Sequence, residues 1–322
     1  MTDLIQAIRD AHERIEPFVR RTPAELSRPL SRMANGEVFL KLECFQETGT
    51  FKLRGATNRL LELDEEARRR GVVAASSGNH GLAVAAAAAR LSLPCIVFVP
   101  ENASHSKVAG ILGRGVELRH HGEDCVETEA FARRYADELG MTYVSPYNDP
   151  LVVAGQGTVG RELGQQAPRL DAVFVSVGGG GLVSGVGTWL KSVRPSIEVI
   201  ARSPEASPTM HCSLEAGRVV LPEIGPTLSD GTAGGLEKGA ITLPICQQVV
   251  DRSVLVTEDA IAAAMRLMMA RHHVLVEGAA GVAVAGWAKE RERLQGKRVA
   301  IILCGANVSL DVLRDVLAAK PE

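Results

Sequence analysis

The lysine of the segment Thr48-Gly49-Thr50-Phe51-Lys52 is the first residue whose type and setting suit covalent chemistry. It follows a short apolar strand predicted at 38–42 and lies at the mouth of a predicted helix that contains Arg54. Burial beside Phe51 would lower the pKa of the Lys52 amine, so that the amine could form an imine with an aldehyde. Taken alone, the segment fits a solvated lysine better, so the prediction depends on the segments that accompany it.

A second candidate is the loop Ser76-Ser77-Gly78-Asn79-His80-Gly81, which lies where a predicted buried strand turns into a helix. Backbone N–H groups at a helix N-terminus converge on one point and favour a carboxylate or phosphate there. An N-terminal cap would need only one Ser or Asn. Because the six residues hold two hydroxyls, an amide and an imidazole, we interpret the loop as a ligand site.

Four consecutive glycines stand between another predicted strand and a helix that begins near Leu182; they are Gly178, Gly179, Gly180 and Gly181. A backbone without side chains can approach an oxyanion closely, and the helix N-terminus adds a favourable field, so a phosphate is the expected guest. The segment lacks the Lys-Ser or Lys-Thr of a P-loop and the ribose-binding acid of a dinucleotide fold. The pattern therefore favours a cofactor with a single phosphate.

The segment Cys304-Gly305-Ala306-Asn307 also follows an apolar strand. Ligands of parallel α/β sheets collect at the carboxyl ends of the strands. The sequence therefore predicts that the loop at 76–81, the glycine turn and the Cys304 segment meet at one site. By itself, Cys304 is more typical of a small buried hydrophobe.

Short apolar strands alternate with helices from residue 71 onward, which predicts an α/β fold with parallel sheets covered on both faces. The predicted strands lie near 72–75, 95–99, 116–118, 142–144, 172–177, 198–201, 253–256 and 298–304. We predict two three-layer domains. The large one comprises residues 1–70 and 149–322, and the small inserted one comprises residues 71–148.

Composition excludes several classes of protein. A formal net charge of -2 provides no basic field for a nucleic-acid backbone. No window reaches the roughly 20 apolar residues of a membrane helix, and residues 1–20 lack a signal peptide's apolar stretch, so we expect a cytoplasmic protein. The six cysteines have no CxxC or zinc-like spacing and are expected to be reduced thiols.

Together, the four segments resemble those of the fold type II pyridoxal-phosphate enzymes, and within them the serine/threonine dehydratase and serine racemase group. That group has a lysine motif, an SSGNHG substrate loop, a tetraglycine phosphate cradle and a CGGN strand end in the same order. Similarity at residues 21–23, 154–158 and 277–281 extends the match over nearly the whole chain. The resemblance implies that pyridoxal 5'-phosphate binds in the cleft between the two domains.

The resemblance also implies roles for single residues. Lys52 would form the imine, Phe51 would pack on the cofactor ring, and Cys304 would face the pyridine nitrogen. Asn79 would bond the ring hydroxyl, and Ser77 would be the second catalytic residue. The phosphate would be held by backbone N–H groups at Gly178, Gly179, Gly180, Gly181 and Leu182, and the substrate carboxylate by Ser76, Ser77, Asn79 and His80.

Some positions depart from that group. Ser203 and Thr209 stand where a divalent cation site often has acids, so no metal is expected. Ala306 replaces the second glycine of CGGN, and Gly278 replaces a proline, which leaves the substrate preference open. Tyr147 resembles the aromatic residue that is usual in dehydratases.

The predicted reaction is β-elimination of a small β-hydroxy amino acid, such as L-threonine or L-serine, to a 2-oxo acid and ammonia. A neutral thiol facing the pyridine makes the cofactor a weaker electron sink, which favours prompt loss of a β-leaving group. Two alternatives are a serine racemase, which Ser77 would permit, and a cofactor-binding protein without turnover. Related enzymes are commonly dimers, so a homodimer is expected.

Overall fold

The computed structural model describes residues 2–318, without the side chains of residues 105–107. In this range the chain forms fourteen α-helices and ten strands. The helices are α1 (Thr2–Ile15), α2 (Arg28–Ala34), α3 (Lys52–Leu61), α4 (Glu65–Arg70), α5 (Asn79–Arg90), α6 (His105–Leu112), α7 (Cys125–Glu138), α8 (Pro150–Gln166), α9 (Gly181–Val193), α10 (Thr209–Ala216), α11 (Thr242–Val249), α12 (Glu258–His272), α13 (Gly278–Glu290) and α14 (Leu310–Ala318). The strands are β1 (Ala24–Leu26), β2 (Glu37–Lys41), β3 (Val72–Ala75), β4 (Cys95–Val99), β5 (Glu117–His120), β6 (Thr142–Tyr143), β7 (Ala172–Ser176), β8 (Glu198–Pro204), β9 (Arg252–Val256) and β10 (Arg298–Ile302).

Six strands form the larger sheet, in the order β1-β2-β10-β7-β8-β9. Every neighbouring pair is parallel except β1 and β2, in which Ala24 lies opposite Lys41 in an antiparallel register. The prediction of a parallel sheet is therefore corrected at this edge. Only residues 27–36 connect β1 to β2, and a return to the parallel direction needs a longer crossover.

Helices cover both faces of the larger sheet. On β8, a Cβ added to Gly187 of α9 would lie 3.5 Å from Val199 Cγ1. Three residues further along the strand, the side chain of Arg202 packs against α13. A Cβ added to Gly286 of that helix would overlap the Arg202 side chain. Since side chains alternate along a strand, the two helices lie on opposite faces, which gives the predicted three layers.

The smaller sheet has the order β5-β4-β3-β6, and all of its pairs are parallel. Along β3, Val72 and Ala74 belong to the core that α5 covers, whereas Val73 packs with Phe98 and with Ala132 of α7. This alternation places one helix layer on each face. The α/β fold with two three-layer domains is thereby confirmed.

The core beneath α5 also includes side chains from outside the predicted 71–148 segment. Leu53, Ala56 and Leu60 of α3 and Val152 of α8 belong to the same cluster as Val72. All four strands of the smaller sheet lie within 71–148, but helices from both flanks complete its core. The domain boundaries stay a prediction.

Helix α8 supports the two helices that begin at the candidate site. A Cβ on Gly155 would lie 2.7 Å from the carbonyl oxygen of Arg54 in α3, and one on Gly185 of α9 would lie 2.5 Å from the Gly157 nitrogen. Larger residues at these crossings would push the helices apart. The glycines therefore hold α3 and α9 against one support. None of the helices within residues 2–318 has the length and apolar character needed to cross a lipid bilayer.

Candidate active site

The ends of β3, β7 and β10 and the start of α3 face one cavity of about 450 Å³, part of which is open to solvent. All four predicted segments contribute to its wall, and the loop at 76–81 does so only through Asn79. The predicted site residues that line it are Phe51, Lys52, Asn79, Gly178, Gly179, Gly180, Gly181, Leu182 and Cys304. The lining also contains residues that were given no role from the sequence, among them the polar side chains of Ser176, Thr232 and Glu277.

Lys52 is the first residue of α3, and its side chain is half-buried. Its Nζ donates a hydrogen bond to the carbonyl oxygen of Pro146 at 2.9 Å and lies 5.4 Å from the centre of the Phe51 ring. Loss of surrounding water lowers the pKa of Lys52 to about 8, although Cys304 and Glu277 oppose the shift. About a tenth of the amine is then neutral at pH 7, and the neutral amine is the form that reacts with an aldehyde.

Main-chain hydrogen bonds tie the lysine segment to the Cys304 segment. The Phe51 nitrogen donates to the carbonyl oxygen of Cys304 at 3.1 Å, and the Ala306 nitrogen donates to that of Gly49 at 2.9 Å. The amine of residue 52 and the thiol of residue 304 are therefore held in the same wall of the cavity by the backbone itself.

The four-glycine turn joins β7 to α9 and forms a cradle that side chains would fill. Gly180 has a φ of 84°, in the left-handed region that favours glycine. A Cβ on Gly178 would lie 2.8 Å from the Thr232 carbonyl oxygen, and one on Gly179 would overlap the Tyr147 ring. The first N–H groups of α9 have no partner within the helix, so the turn suits a phosphate.

Replacing Gly179 with alanine should weaken the affinity for pyridoxal 5'-phosphate by about 10-fold or more, because the new methyl group meets the Tyr147 ring in the cradle. Equilibrium titration of the apo-protein with the cofactor measures this change. Gly164→Ala in α8 is the matched control, since its Cβ would find ordinary contacts at 3.6 Å and 3.8 Å. Equal affinities of the two variants would contradict the cradle. Adding Tyr147→Leu to Gly179→Ala should recover part of the loss.

Cys304 is buried, and the hydroxyl of Ser176 donates to its Sγ at 3.4 Å. Burial raises the pKa of the thiol far above its ordinary value, with Glu277 acting in the same direction. The thiol is therefore neutral at physiological pH. Ser176 escaped the sequence analysis because it is the last residue of a buried strand and belongs to no motif.

Glu277 is a second residue to which the sequence analysis gave no role. Both of its carboxylate oxygens lie 2.9 Å from Asn79 Nδ2, and the Asn307 backbone nitrogen donates to Oε2 at 3.1 Å. Burial raises the pKa of Glu277 to about 7, although these hydrogen bonds oppose the shift. The one signal in the sequence is that Glu277 begins the segment 277–281, which is similar to a segment of the serine/threonine dehydratase and serine racemase group.

The other polar side chains of the loop at 76–81 differ in burial and in hydrogen bonding. His80 is buried with Nε2 2.7 Å from the Val144 carbonyl oxygen, and burial lowers its pKa to about 3, so the ring is neutral. Ser76 Oγ accepts a hydrogen bond from the Gly78 nitrogen at 3.1 Å, and Ser77 is half-buried. Ser76, Ser77 and His80 do not belong to the lining, and their contact with a substrate stays a prediction.

Among the side chains that the structure describes, no group of three or more His, Cys, Asp or Glu could hold a metal ion. Where the related group often has acids, Ser203 Oγ donates to the Val177 carbonyl oxygen at 3.0 Å, and Thr209 Oγ1 donates to that of Gly234 at 2.8 Å. These hydroxyls bind the main chain.

Known proteins resemble this chain over most of its length. A sequence family described as pyridoxal-phosphate dependent enzyme matches residues 15–305. The chain belongs to this family. As in the rest of the family, its cofactor is pyridoxal 5'-phosphate, and the cavity fits that cofactor, with an amine of lowered pKa for the aldehyde and a glycine cradle for the phosphate.

Relatives of this pyridoxal-phosphate-dependent enzyme are named for different activities. The L-threonine ammonia-lyase of Thermotoga maritima is 38% identical over 313 residues, which cover 97% of this chain and 78% of the relative. The L-threo-3-hydroxyaspartate ammonia-lyase of Saccharomyces cerevisiae is 36% identical over 97% of this chain and 96% of its own length. The structure of maize serine racemase superposes with a TM-score of 0.91 at 34% identity, covering 97% of this chain and 96% of that one. The fold type II assignment is confirmed.

Proposed function

We propose that this enzyme is an ammonia-lyase that converts a small β-hydroxy amino acid, such as L-threonine or L-serine, to a 2-oxo acid and ammonia. The observation that carries the proposal is the pairing of Lys52 and Cys304 in the wall of one cavity. An amine with a pKa of about 8 suits the removal of an α-proton near neutral pH. A neutral thiol at Cys304 would stabilise extra charge on a bound pyridine ring poorly, which would favour early departure of the β-hydroxyl.

We assign the cofactor to the residues that line the cavity. The backbone N–H groups at residues 178–182 would hold its phosphate, Phe51 would pack on its ring, Asn79 would bond its ring hydroxyl, and Cys304 would face its pyridine nitrogen. Bound pyridoxal 5'-phosphate supplies an aldehyde that condenses with amines and a ring that withdraws electrons from the α-carbon of the substrate.

Lys52 has two tasks in this proposal. At rest its Nζ anchors the cofactor, and during turnover it takes the α-proton of the substrate. The substrate carboxylate is held by Ser76, Ser77, Asn79 and His80, and the neutral ring of His80 adds no charge there. The β-hydroxyl gains one proton and leaves as water, which balances the α-proton that Lys52 takes, and the released enamine reacts with water and a proton to give the 2-oxo acid and ammonium.

A serine racemase is the second candidate. The similarity to maize serine racemase favours it, and the Ser77 hydroxyl could deliver a proton to the face of the α-carbon opposite Lys52. The two candidates differ in their products, because racemisation retains the amino group and elimination releases it.

Product analysis of the holoenzyme tests the proposal. The enzyme is incubated separately with both enantiomers of serine, both of threonine and L-threo-3-hydroxyaspartate, and ammonia, 2-oxo acid and the opposite isomer are measured. We expect ammonia and 2-oxo acid in equal amounts from at least one L-substrate. Accumulation of the opposite isomer as the main product would establish the racemase, and an unchanged panel would indicate a cofactor-binding protein without turnover.

The pH dependence of cofactor uptake is a further prediction. Only the neutral Lys52 amine attacks the aldehyde, so the rate of covalent attachment should rise about 10-fold per pH unit below its pKa of about 8 and then level off. Stopped-flow absorbance after mixing apo-protein with pyridoxal 5'-phosphate from pH 6 to pH 10 measures the rate. A free alkylamine measured in parallel should show no plateau near pH 8. A similar absence of a plateau in the protein would show that burial does not tune this amine.

A further inference from the structure

Glu277 directs its carboxylate into the cavity although its backbone position suits a different task. It is the N-cap residue of α13, yet its side chain makes no capping hydrogen bond to that helix. The side chain is only 6% exposed and lines the cavity wall. The absence of a Cβ at Gly305 makes room for it, since that atom would lie 2.5 Å from Glu277 Oε1.

Hydrogen bonds around Glu277 fix the orientation of two side-chain amides. The Thr48 carbonyl oxygen can only accept, so the Asn307 atom 2.9 Å from it must be the nitrogen, Nδ2. The same nitrogen lies 2.7 Å from Asn79, which must therefore present its oxygen, Oδ1. The nitrogen of Asn79 is left to face Glu277, at 2.9 Å from each carboxylate oxygen.

This chain of hydrogen bonds leaves one donor for the cavity. The Asn79 amide nitrogen carries two hydrogens, and one of them suffices for the bond shared between the two oxygens of Glu277. Asn79 lines the cavity, so its second hydrogen is available to a ligand oxygen. In its ionised form the Glu277 carboxylate only accepts hydrogen bonds, so it holds the nitrogen side of the Asn79 amide while Asn307 holds the oxygen side, and the two together oppose a flip of that amide.

We infer that Glu277 is a positioning residue that, together with Asn307, holds the Asn79 amide with its nitrogen toward the ring hydroxyl of pyridoxal 5'-phosphate. The inference rests on the assignment of Asn79 in the proposed function. Glu277 does not itself contact the reacting atoms in this arrangement. It acts through Asn79, so its effect on the cofactor should vanish when Asn79 has no amide.

A double-mutant cycle on cofactor binding tests the inference. Glu277→Gln keeps the shape of the side chain but brings an amide donor against the N–H groups of Asn79 and Asn307, so its affinity for pyridoxal 5'-phosphate should fall about 10-fold or more. Asn79→Ala should cause a loss of similar size. In the Asn79→Ala background, adding Glu277→Gln should change the affinity less than 2-fold. Fully additive losses would overturn the inference.

The visible absorbance band of the bound cofactor gives a second readout, because it responds to hydrogen bonding at the ring hydroxyl. Glu277→Gln and Asn79→Ala should shift the band in the same direction, whereas Glu292→Gln, at an exposed position, should leave band and affinity unchanged. Identical bands in the wild type and Glu277→Gln would overturn the inference. Thermal unfolding of the apo-proteins shows that each variant folds.

The cycle also separates this inference from the proposed function. If Asn79→Ala binds the cofactor as tightly as the wild type, the assignment of Asn79 fails and the inference fails with it. If the cycle is non-additive but no substrate releases ammonia, the inference stands and the proposed lyase activity fails.

Discussion

Replacing Lys52 with alanine is expected to abolish covalent attachment of pyridoxal 5'-phosphate and to reduce ammonia release by at least about 10³-fold. The variant loses the amine that anchors the cofactor and, in the proposed reaction, the base that takes the α-proton. No other lysine lines the cavity within the described residues, so no second amine replaces it. Visible absorbance after gel filtration and a coupled ammonia assay measure the two losses.

A loss of activity alone would not identify Lys52, because a damaged cavity would cause it too. The glycine cradle remains in the variant, so reversible binding of the cofactor should persist in equilibrium dialysis although gel filtration removes it. Lys297→Ala, at an exposed lysine, should retain both the band and turnover. A covalently retained cofactor in Lys52→Ala would refute the assignment of the lysine.

The architecture was predictable because its strands are continuous apolar runs. All residues of β4 and β7 are buried, as expected for strands covered on both faces, and the sequence placed both of them to within one residue. Helix α11, by contrast, begins at Thr242 and lies in none of the segments that the sequence patterns singled out. Its buried side chains include Cys246, which contacts Ser184 of α9, so the helix is stabilised by packing that no local pattern reveals.

The site was predictable where several adjacent residues served one ligand. Glycine runs and loops rich in hydroxyl groups remain visible in a sequence, and the structure brings residues from each predicted segment to one cavity. Glu277 and Ser176 are single side chains whose partners lie far away along the chain. Glu277 bonds Asn79, and Ser176 bonds Cys304. Their contribution depends on hydrogen bonds across the fold, which the sequence analysis could not predict.

A buried ionic network escaped the sequence analysis for the same reason. Lys41, Glu43, Arg54 and Glu162 are all at most 2% exposed. Arg54 Nε lies 2.8 Å from Glu43 Oε2 and its Nη1 lies 2.7 Å from Glu162 Oε1, while Lys41 Nζ lies 2.6 Å from Glu162 Oε2. Two cations balance two carboxylates, which makes burial of the four charges tolerable. The network fixes α3 two residues after Lys52.

Replacing Arg54 with methionine is expected to destabilise the protein by about 3–5 kcal/mol, because it leaves two buried carboxylates with one lysine between them. Although burial opposes the shift, Arg54 holds the pKa of Glu43 below its ordinary value in the folded protein. Removing that cation should raise the pKa instead. Urea denaturation of the apo-proteins measures the loss as a lower transition midpoint.

Arg59→Met is the matched control, since Arg59 lies on the same helix and forms a partly exposed ion pair with Asp149 at 2.8 Å. Its loss should cost about 1 kcal/mol or less. The deficit of Arg54→Met should also shrink as the pH falls below the ordinary carboxyl range, because protonated carboxyls need no partner cation while the wild type loses the stability that its ionised Glu43 provides. Equal losses in the two variants, or a deficit of Arg54→Met that does not change with pH, would show that the arginine stabilises α3 through packing alone and that the buried charges contribute nothing specific.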